Sequence, residues 1–121
     1  MPSGRLLIVA PDVDLRRSLE FLLEAEGHVV VSCVGIAGVD TSNFDCTILD
    51  HRAILAPHGE MMAFCRKARP VILLAGSPLT WLTEEIFRVV QKPLLGQPLI
   101  AAVDEALRSR RPLSSSPRMR T

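Results

Sequence analysis

The feature that most constrains the fold is a pair of short, wholly apolar runs. Residues 6–10, with the sequence LLIVA, and residues 71–75, with the sequence VILLA, each contain five consecutive apolar side chains. A continuous run of this length is typical of a strand that is buried on both faces in a parallel sheet. Both runs are much shorter than the roughly 18 apolar residues needed to cross a bilayer, so no transmembrane helix is predicted.

Other segments continue the strand pattern along the chain. Residues 28–33, 46–49 and 88–91 are predicted to be the second, third and fifth strands, and the two apolar runs are the first and the fourth. The third strand ends at Asp50. Strands at this spacing leave room for a helix or a turn between each pair.

Helical periodicity occurs between several of these strands. One apolar face follows the first strand, in a helix that Asp12 can cap and Gly27 can end; its members are Leu15, Leu19, Leu22 and Leu23. Residues 60–68 place a second apolar set on one helical face: Met61, Phe64, Cys65 and Ala68. Residues 99–110 repeat the pattern with Leu99, Val103 and Leu107.

Two further intervening segments have weak helical signals. Residues 34–43 contain Gly35, Gly38 and Asp40 and predict at most a turn or two, and residues 78–86 predict only a short helix. Strands that alternate with helices in this way predict an α/β fold, with a parallel sheet and helices on both faces. In such sheets the functional site lies at the carboxyl ends of the strands.

Length and charge predict one domain followed by a tail. The 121 residues are 48% hydrophobic and 22% charged, which fits a single globular domain, predicted over residues 1–108. Residues 108–121 hold five arginines and no acid, whereas the preceding 107 residues carry a net charge of −4. Residues 109–121 lack hydrophobic periodicity and are predicted to be a basic, disordered tail. No aromatic residue lies between the arginines, so a solvated tail or linker is favoured over a nucleic-acid-binding arm.

Cysteine usage and the N-terminus indicate a cytoplasmic location. Cys33, Cys46 and Cys65 are odd in number and have no CxxC spacing, so they are predicted to be buried, reduced thiols. The first apolar run is too short for the core of a secretion signal.

Four segments together resemble a known family. They are LLIVAPDVDLRRSL at residues 6–19, FDCTILD at 44–50, PVILLAG at 70–76 and QKPL at 91–94. Their order and their placement at strand ends look like the receiver domain of bacterial two-component response regulators, the CheY-like superfamily, over roughly residues 4–108. The resemblance implies a flavodoxin-like, doubly wound, five-stranded parallel sheet with strand order 2-1-3-4-5. The second and fourth helices are expected to be shortened here.

The resemblance also assigns expected roles to strand-end residues. In that family an aspartate at the end of the third strand accepts a phosphoryl group, and a Lys-Pro follows the fifth strand. Asp50 matches the phosphoacceptor and Lys92 matches the lysine. The family is not enzymatic in the ordinary sense, because it receives a signal and passes it to a protein partner.

Other family positions are altered in this chain. The two acids that follow the first strand, and help to bind Mg²⁺, correspond to Ala10 and Pro11, with Asp12 one place further on. The hydroxyl residue after the fourth strand corresponds to Ala75, and the aromatic three residues before the lysine corresponds to Val89. In the family the hydroxyl and the aromatic move together on phosphorylation, so the switch is expected to be degenerate.

These changes bear on cofactor binding. Mg²⁺ prefers oxygen ligands, which the side chains of Ala10 and Pro11 do not supply. We therefore expect no cofactor, or at most weak Mg²⁺ binding by Asp50 and Asp12 if Asp12 turns inward instead of capping its helix. Capping is the favoured role of Asp12. Asp50 is either a surviving phosphoacceptor or one half of a permanent ion pair with Lys92, and exposure at the sheet edge is expected to weaken such a pair.

In that family the usual partner-binding face is built from the fourth helix, which corresponds to residues 78–86, and the fifth strand. Trp81 in this segment is by default a core residue, but it becomes a candidate interface anchor if it is exposed. Four apolar side chains in so short a segment are not expected to be buried together: Leu79, Trp81, Leu82 and Ile86. Some apolar surface is therefore expected to remain available for a homodimer or another protein, without gating by phosphorylation.

The sequence leads to one preferred function and two alternatives. The preferred function is a pseudo-receiver that acts as a phosphorylation-independent interaction module, whose partner is a histidine kinase, an output domain or a second copy. The first alternative is a working receiver that is phosphorylated on Asp50 by a sensor histidine kinase. The second is a small hydrolase that uses Asp50 and His51 as an acid–base pair.

Overall fold

The computed structural model describes residues 3–55, 57–76, 80–92 and 96–115. Its five strands are β1 (Arg5–Val9), β2 (Val29–Cys33), β3 (Cys46–Asp50), β4 (Val71–Ala75) and β5 (Arg88–Gln91). Its three α-helices are α1 (Val13–Ala25), α2 (His58–Lys67) and α3 (Gln97–Ser115). Two 3₁₀ helices cover His51–Ala53 and Thr80–Glu85.

All strand pairs in the sheet are parallel, and the strand order is β2-β1-β3-β4-β5. The predicted order 2-1-3-4-5 is therefore confirmed. The strands β3 and β4 are buried along their whole length, which explains the wholly apolar sequence of β4, whereas β3 also buries the polar residues Thr47 and Asp50. The carboxyl ends of all five strands lie at one edge of the sheet.

Side chains alternate between the two faces of the sheet and build two cores. Leu6 and Ile8 of β1 pack on the face covered by α1 and α3, whereas Leu7 and Val9 pack on the face covered by α2. The helical residues predicted to be apolar contacts occupy these cores: Leu19, Leu23, Leu99, Val103 and Leu107 on the first face, and Met61, Phe64, Cys65 and Ala68 on the second.

Helix α1 begins and ends as its sequence predicts. The Asp12 carboxylate accepts hydrogen bonds from the backbone N–H groups of Asp14 and Leu15, at 2.9 and 3.4 Å. After the helix, Gly27 has a φ of 94°, a left-handed conformation that favours glycine, and the chain turns into β2. Capping is thus the role of Asp12 in this structure.

The two weak helical segments are reduced, as expected. The chain between Cys33 and Cys46 forms turns and bends without a helix, and the connection before β5 contains only the 3₁₀ helix Thr80–Glu85. The first of these changes leaves one face of β2 without a helix to cover it.

Helix α3 is longer than the sequence predicts. It extends to Ser115, beyond the periodicity that the sequence shows over residues 99–110, and the disordered tail predicted from residue 109 stays a prediction. The helix continues through Pro112 although proline has no backbone N–H to donate, so local sequence preference does not explain this extension. Residues 116–121 lie outside the described part of the chain, and the domain boundary at residue 108 stays a prediction.

The cysteines are free thiols with different degrees of burial. Cys46 and Cys65 are buried, as expected, but Cys33 is only partly buried because β2 is an edge strand. Burial, reinforced by the negative charge of Glu85, raises the pKa of the Cys65 thiol to about 11. Among the described helices, none combines the length and the apolar character needed to cross a membrane.

Candidate functional site

An ion pair lies at the carboxyl end of the sheet. Asp50, the last residue of β3, is fully buried, and its Oδ1 contacts the Nζ of Lys92, whose side chain is 23% exposed. Lys92 follows β5 and reaches Asp50 across the end of β4, where its backbone N–H donates to the carbonyl of Ala75.

The second neighbour of Asp50 is the imidazole of His51. The His51 Nδ1 lies 3.5 Å from Asp50 Oδ1 and 3.3 Å from the carbonyl oxygen of Leu74, so two acceptors face one ring nitrogen. Asp50 Oδ2 has no hydrogen-bonding partner in the described part of the chain. The two residues of the proposed acid–base pair are therefore adjacent in space, at 3.5 Å between His51 Nδ1 and Asp50 Oδ1.

A guanidinium group occupies the end of β1. Arg16 folds back from α1, and its NH1 donates hydrogen bonds to the carbonyl oxygens of Ala10 and Pro11, at 2.9 and 3.1 Å. These are the positions that correspond to the family's two acids. A positive charge therefore lies on the backbone carbonyls of the two positions at which the resemblance implies carboxylates, and sequence reasoning missed this role of Arg16.

Asp12 does not turn toward Asp50. Its Oδ1 caps α1, and its Oδ2 faces the NH1 of Arg52 at 3.8 Å. Both side chains are exposed, so the ion pair contributes little free energy, but it uses the second carboxylate oxygen. Arg52 follows Asp50 by two residues and was not predicted to be near the site.

The residues at these strand ends do not fit a magnesium site of the receiver kind. Across the described ranges, no group of three His, Cys, Asp or Glu side chains is arranged to hold a metal ion. Among the residues that the structure describes, Asp50 alone presents a buried carboxylate oxygen without a hydrogen-bonding partner, and Lys92 already neutralises its charge. Mg²⁺ needs several hard oxygen ligands in near-octahedral geometry.

The two residues that correspond to the family's switch positions lie in neighbouring strands. Ala75 ends β4 and is buried, and Val89 lies in β5 and packs against the core beside α2. Neither side chain can donate a hydrogen bond to a group at Asp50. Ser77, the nearest hydroxyl in sequence, lies outside the described residues.

Trp81 is less exposed than an interface anchor would be. Its ring is partly buried against the core beside α2 and stacks on His58, with ring centroids 3.6 Å apart and an interplanar angle of 4°. Leu82 is fully buried and Ile86 packs against the same core, so most of the expected apolar surface of this segment is covered. Leu79 lies outside the described residues.

A second contact holds the 3₁₀ helix Thr80–Glu85 against α2. The buried Glu85 carboxylate accepts hydrogen bonds from Arg66 Nε at 3.0 Å and from Arg69 NH2 at 2.7 Å. Burial by itself raises the pKa of Glu85, but the hydrogen bonds and positive charges of the two arginines outweigh it and lower the pKa. Glu85 lies 19 positions after Arg66 and 16 positions after Arg69 in sequence, so no local pattern predicted these contacts.

Several solved structures share the fold of this chain. The chain matches a response regulator receiver domain protein from Clostridium thermocellum with a TM-score of 0.74 and 20% identity, over 91% of this chain and 98% of that one. This chain has the fold of a response-regulator receiver domain. The receiver fold also matches CheY4 of Vibrio cholerae, with a TM-score of 0.69 and 16% identity, over 88% of this chain and all of that one.

The receiver fold occurs in longer proteins as well. NtrX from Brucella abortus matches with a TM-score of 0.75 and 18% identity, and 93% of this chain aligns to 29% of NtrX. The chain thus spans less than a third of the NtrX chain. No protein-family model matches the sequence, and no curated protein matches it. At these identities the likeness is one of fold.

Proposed function

We propose that this receiver-fold chain is a protein-interaction module of bacterial two-component signalling that binds its partner without phosphorylation of Asp50. The observation that carries the proposal is the Arg16 guanidinium on the carbonyls of Ala10 and Pro11. The charge at the end of β1 is opposite to the charge that a metal-assisted phosphoryl acceptor needs.

The charges around Asp50 are poorly suited to phosphoryl transfer. Phosphoryl transfer depends almost entirely on positioning the phosphoryl group and neutralising its negative charge. In this chain one cation, Lys92, is already engaged by Asp50, and the side chains of Ala10 and Pro11 offer no oxygen to a metal. Arg16 repels a divalent cation from the same edge. We expect Mg²⁺ to bind only in the millimolar range or more weakly.

The contacts of the 3₁₀ helix support binding that is not gated. Glu85 of this segment accepts hydrogen bonds from Arg66 of α2 and from Arg69, which follows α2. Trp81 stacks on His58, the first residue of α2. Neither contact involves Asp50, Ala75 or another residue at the carboxyl ends of the strands. The conformation of the segment is thus set by α2 and is expected to stay the same whatever the state of Asp50.

The cellular location and the binding partners of the module are also proposed. We propose a non-enzymatic role in the cytoplasm, with a histidine kinase, an output domain or a second copy as the partner. Nucleic acid is not a proposed partner for this chain alone, because the body of the chain is acidic.

One observation favours a second candidate, a working receiver. Asp50 Oδ2 is buried and has no hydrogen-bonding partner, and Lys92 lies beside the same carboxylate. In this alternative the carboxylate attacks the phosphorus of a phosphohistidine, the P–N bond breaks, and the imidazole leaves with a proton from solvent. Lys92 would then move from the carboxylate to the phosphoryl oxygens.

Titration with Mg²⁺ and beryllofluoride separates the two candidates. Binding of Mg²⁺ is measured by calorimetry, and backbone amide shifts around Asp50 are followed by NMR with the phosphoryl mimic. We expect small shifts and millimolar Mg²⁺ binding for the wild type. The matched variant Ala10→Asp/Pro11→Asp is expected to bind Mg²⁺ more tightly, because it restores two oxygen ligands.

A different result would contradict the proposal of phosphorylation-independent binding. Mg²⁺ binding at tens of micromolar by the wild type, together with shifts that extend from Asp50 to Trp81, would establish the working receiver instead. Arg16→Gln provides a further check, since removal of the guanidinium charge is expected to strengthen Mg²⁺ binding without adding a ligand.

A further inference from the structure

We infer that β2 is a homodimerisation edge, at which two copies of this chain pair their β2 strands in antiparallel fashion about a two-fold axis. The two five-stranded sheets would join into one continuous sheet of ten strands. Strand β2 is separated from β3 and Asp50 by β1, so pairing at this edge does not depend on whether Asp50 is phosphorylated.

The first reason is the backbone of β2. The N–H of Val29 donates to the carbonyl of Gly4, and the carbonyl of Cys33 accepts from Ala10, both at 3.0 Å. Because alternate residues of a strand direct their backbone groups to opposite sides, Val30 and Ser32 direct theirs away from β1. In the described sheet β2 pairs only with β1, so these groups form an open edge.

The second reason is the side-chain surface of the same strand. Val29 and Val31 are 55% and 43% exposed, because no helix follows β2 to cover this face. Strand β2 contains neither a charged residue nor a proline, the usual features that prevent edge strands from pairing. The opposite edge differs, since Arg88 of β5 pairs with Glu105 of α3 at 3.2 Å.

The register of an antiparallel pair makes β2 complementary to itself. Val31 is the central residue of the strand, so a two-fold axis at this point places Val31 opposite its own copy. Val30 then faces Ser32, and Val29 faces Cys33. No charged side chains meet between the paired β2 strands, and β-branched side chains lie across from one another near the centre, which favours the pairing.

The charges of α1 point to a second copy as the partner. Glu20 hydrogen-bonds Ser32, which fixes the side of α1 that lies beside the open edge. Arg17 and Glu24 lie three residues before and four residues after Glu20, on that same side, and both are exposed. An antiparallel arrangement places Arg17 of one copy near Glu24 of the other, twice per dimer. A strand from an unrelated protein would not supply this match.

Self-association is measured with the full chain by sedimentation and light scattering over concentrations up to millimolar. We expect a reversible dimer in the wild type. Val31→Lys places two ammonium groups at the two-fold axis and is expected to weaken the dimer at least about tenfold. The matched control is Leu55→Lys, which adds the same charge at a residue that is 87% exposed in the loop after β3 and is expected to leave the dimer intact.

Charge exchange tests the orientation. Arg17→Glu and Glu24→Arg are each expected to weaken association, and the double variant is expected to restore it. Circular dichroism checks that every variant is folded. We expect all of them to fold, because the replaced side chains are exposed. A wild type that is monomeric at millimolar concentration, equal effects of Val31→Lys and Leu55→Lys, or a double variant that fails to recover would each overturn the inference.

Discussion

The pair formed by Asp50 and Lys92 predicts an unequal response to the loss of either partner. Asp50 is fully buried, whereas the Lys92 side chain is 23% exposed and has a flexible stem. If Asp50 is replaced by Asn, the ammonium group of Lys92 can turn toward water. If Lys92 is replaced by Met, which keeps the apolar stem, the Asp50 carboxylate stays buried without a counter-ion.

The magnitudes follow from this difference in exposure. Removing one partner of a buried ion pair costs roughly 3 to 5 kcal/mol when the other charge stays buried, and we expect this for Lys92→Met. For Asp50→Asn we expect about 1 to 2 kcal/mol, because the remaining charge can be hydrated. The sequence-based expectation of a weakened, partly exposed pair thus stays a prediction, and the structure adds that Lys92 is partly exposed whereas Asp50 is fully buried.

Urea unfolding measures both effects. Unfolding is followed by circular dichroism and by the fluorescence of Trp81, and the double variant Asp50→Asn/Lys92→Met completes a cycle that isolates the coupling. The double variant is expected to be more stable than Lys92→Met alone. If Asp50→Asn is as stable as the wild type or more stable, Asp50 is a strained residue kept for function, and the structural role argued for the pair is wrong.

Three further predictions concern local features of the fold. Thr47→Val is expected to stabilise the protein by about 1 kcal/mol in the same urea assay, because the Thr47 hydroxyl is buried without a hydrogen-bonding partner in the described structure; a destabilised variant would show that the hydroxyl is satisfied. Asp12→Ala is expected to cost about 1 kcal/mol through the lost helix cap, whereas Asp12→Asn, which can still cap, is expected to cost much less. The lowered pKa of Glu85 contributes stability that is present above its unfolded pKa and is lost as the pH falls through the folded value. The melting temperature of Glu85→Gln is therefore expected to fall less steeply on acidification than that of the wild type, and parallel curves would contradict this.

The strands and the apolar faces of the helices could be predicted from the sequence because they depend on local patterns. Burial of β4 on both faces requires apolar residues throughout, so its five residues were found without error. Asp12 is a capping residue directly before a periodic apolar pattern, and the structure confirms its role. The extension of α3 through Pro112 could not be predicted, because local sequence preference does not explain it.

Residue types and their order thus determined the parallel sheet, the helices on its two faces, and the placement of Asp50, Ala75 and Lys92 at one edge. Only the tertiary structure decided how charges are matched there. An arginine side chain spans several ångströms and hydrogen-bonds whichever acceptors lie near it in three dimensions. No local spacing therefore predicted that Arg16 would donate to the carbonyls after β1. Burial is likewise a property of the assembled layers, which is why the full burial of Asp50 could not be read from its neighbours in sequence.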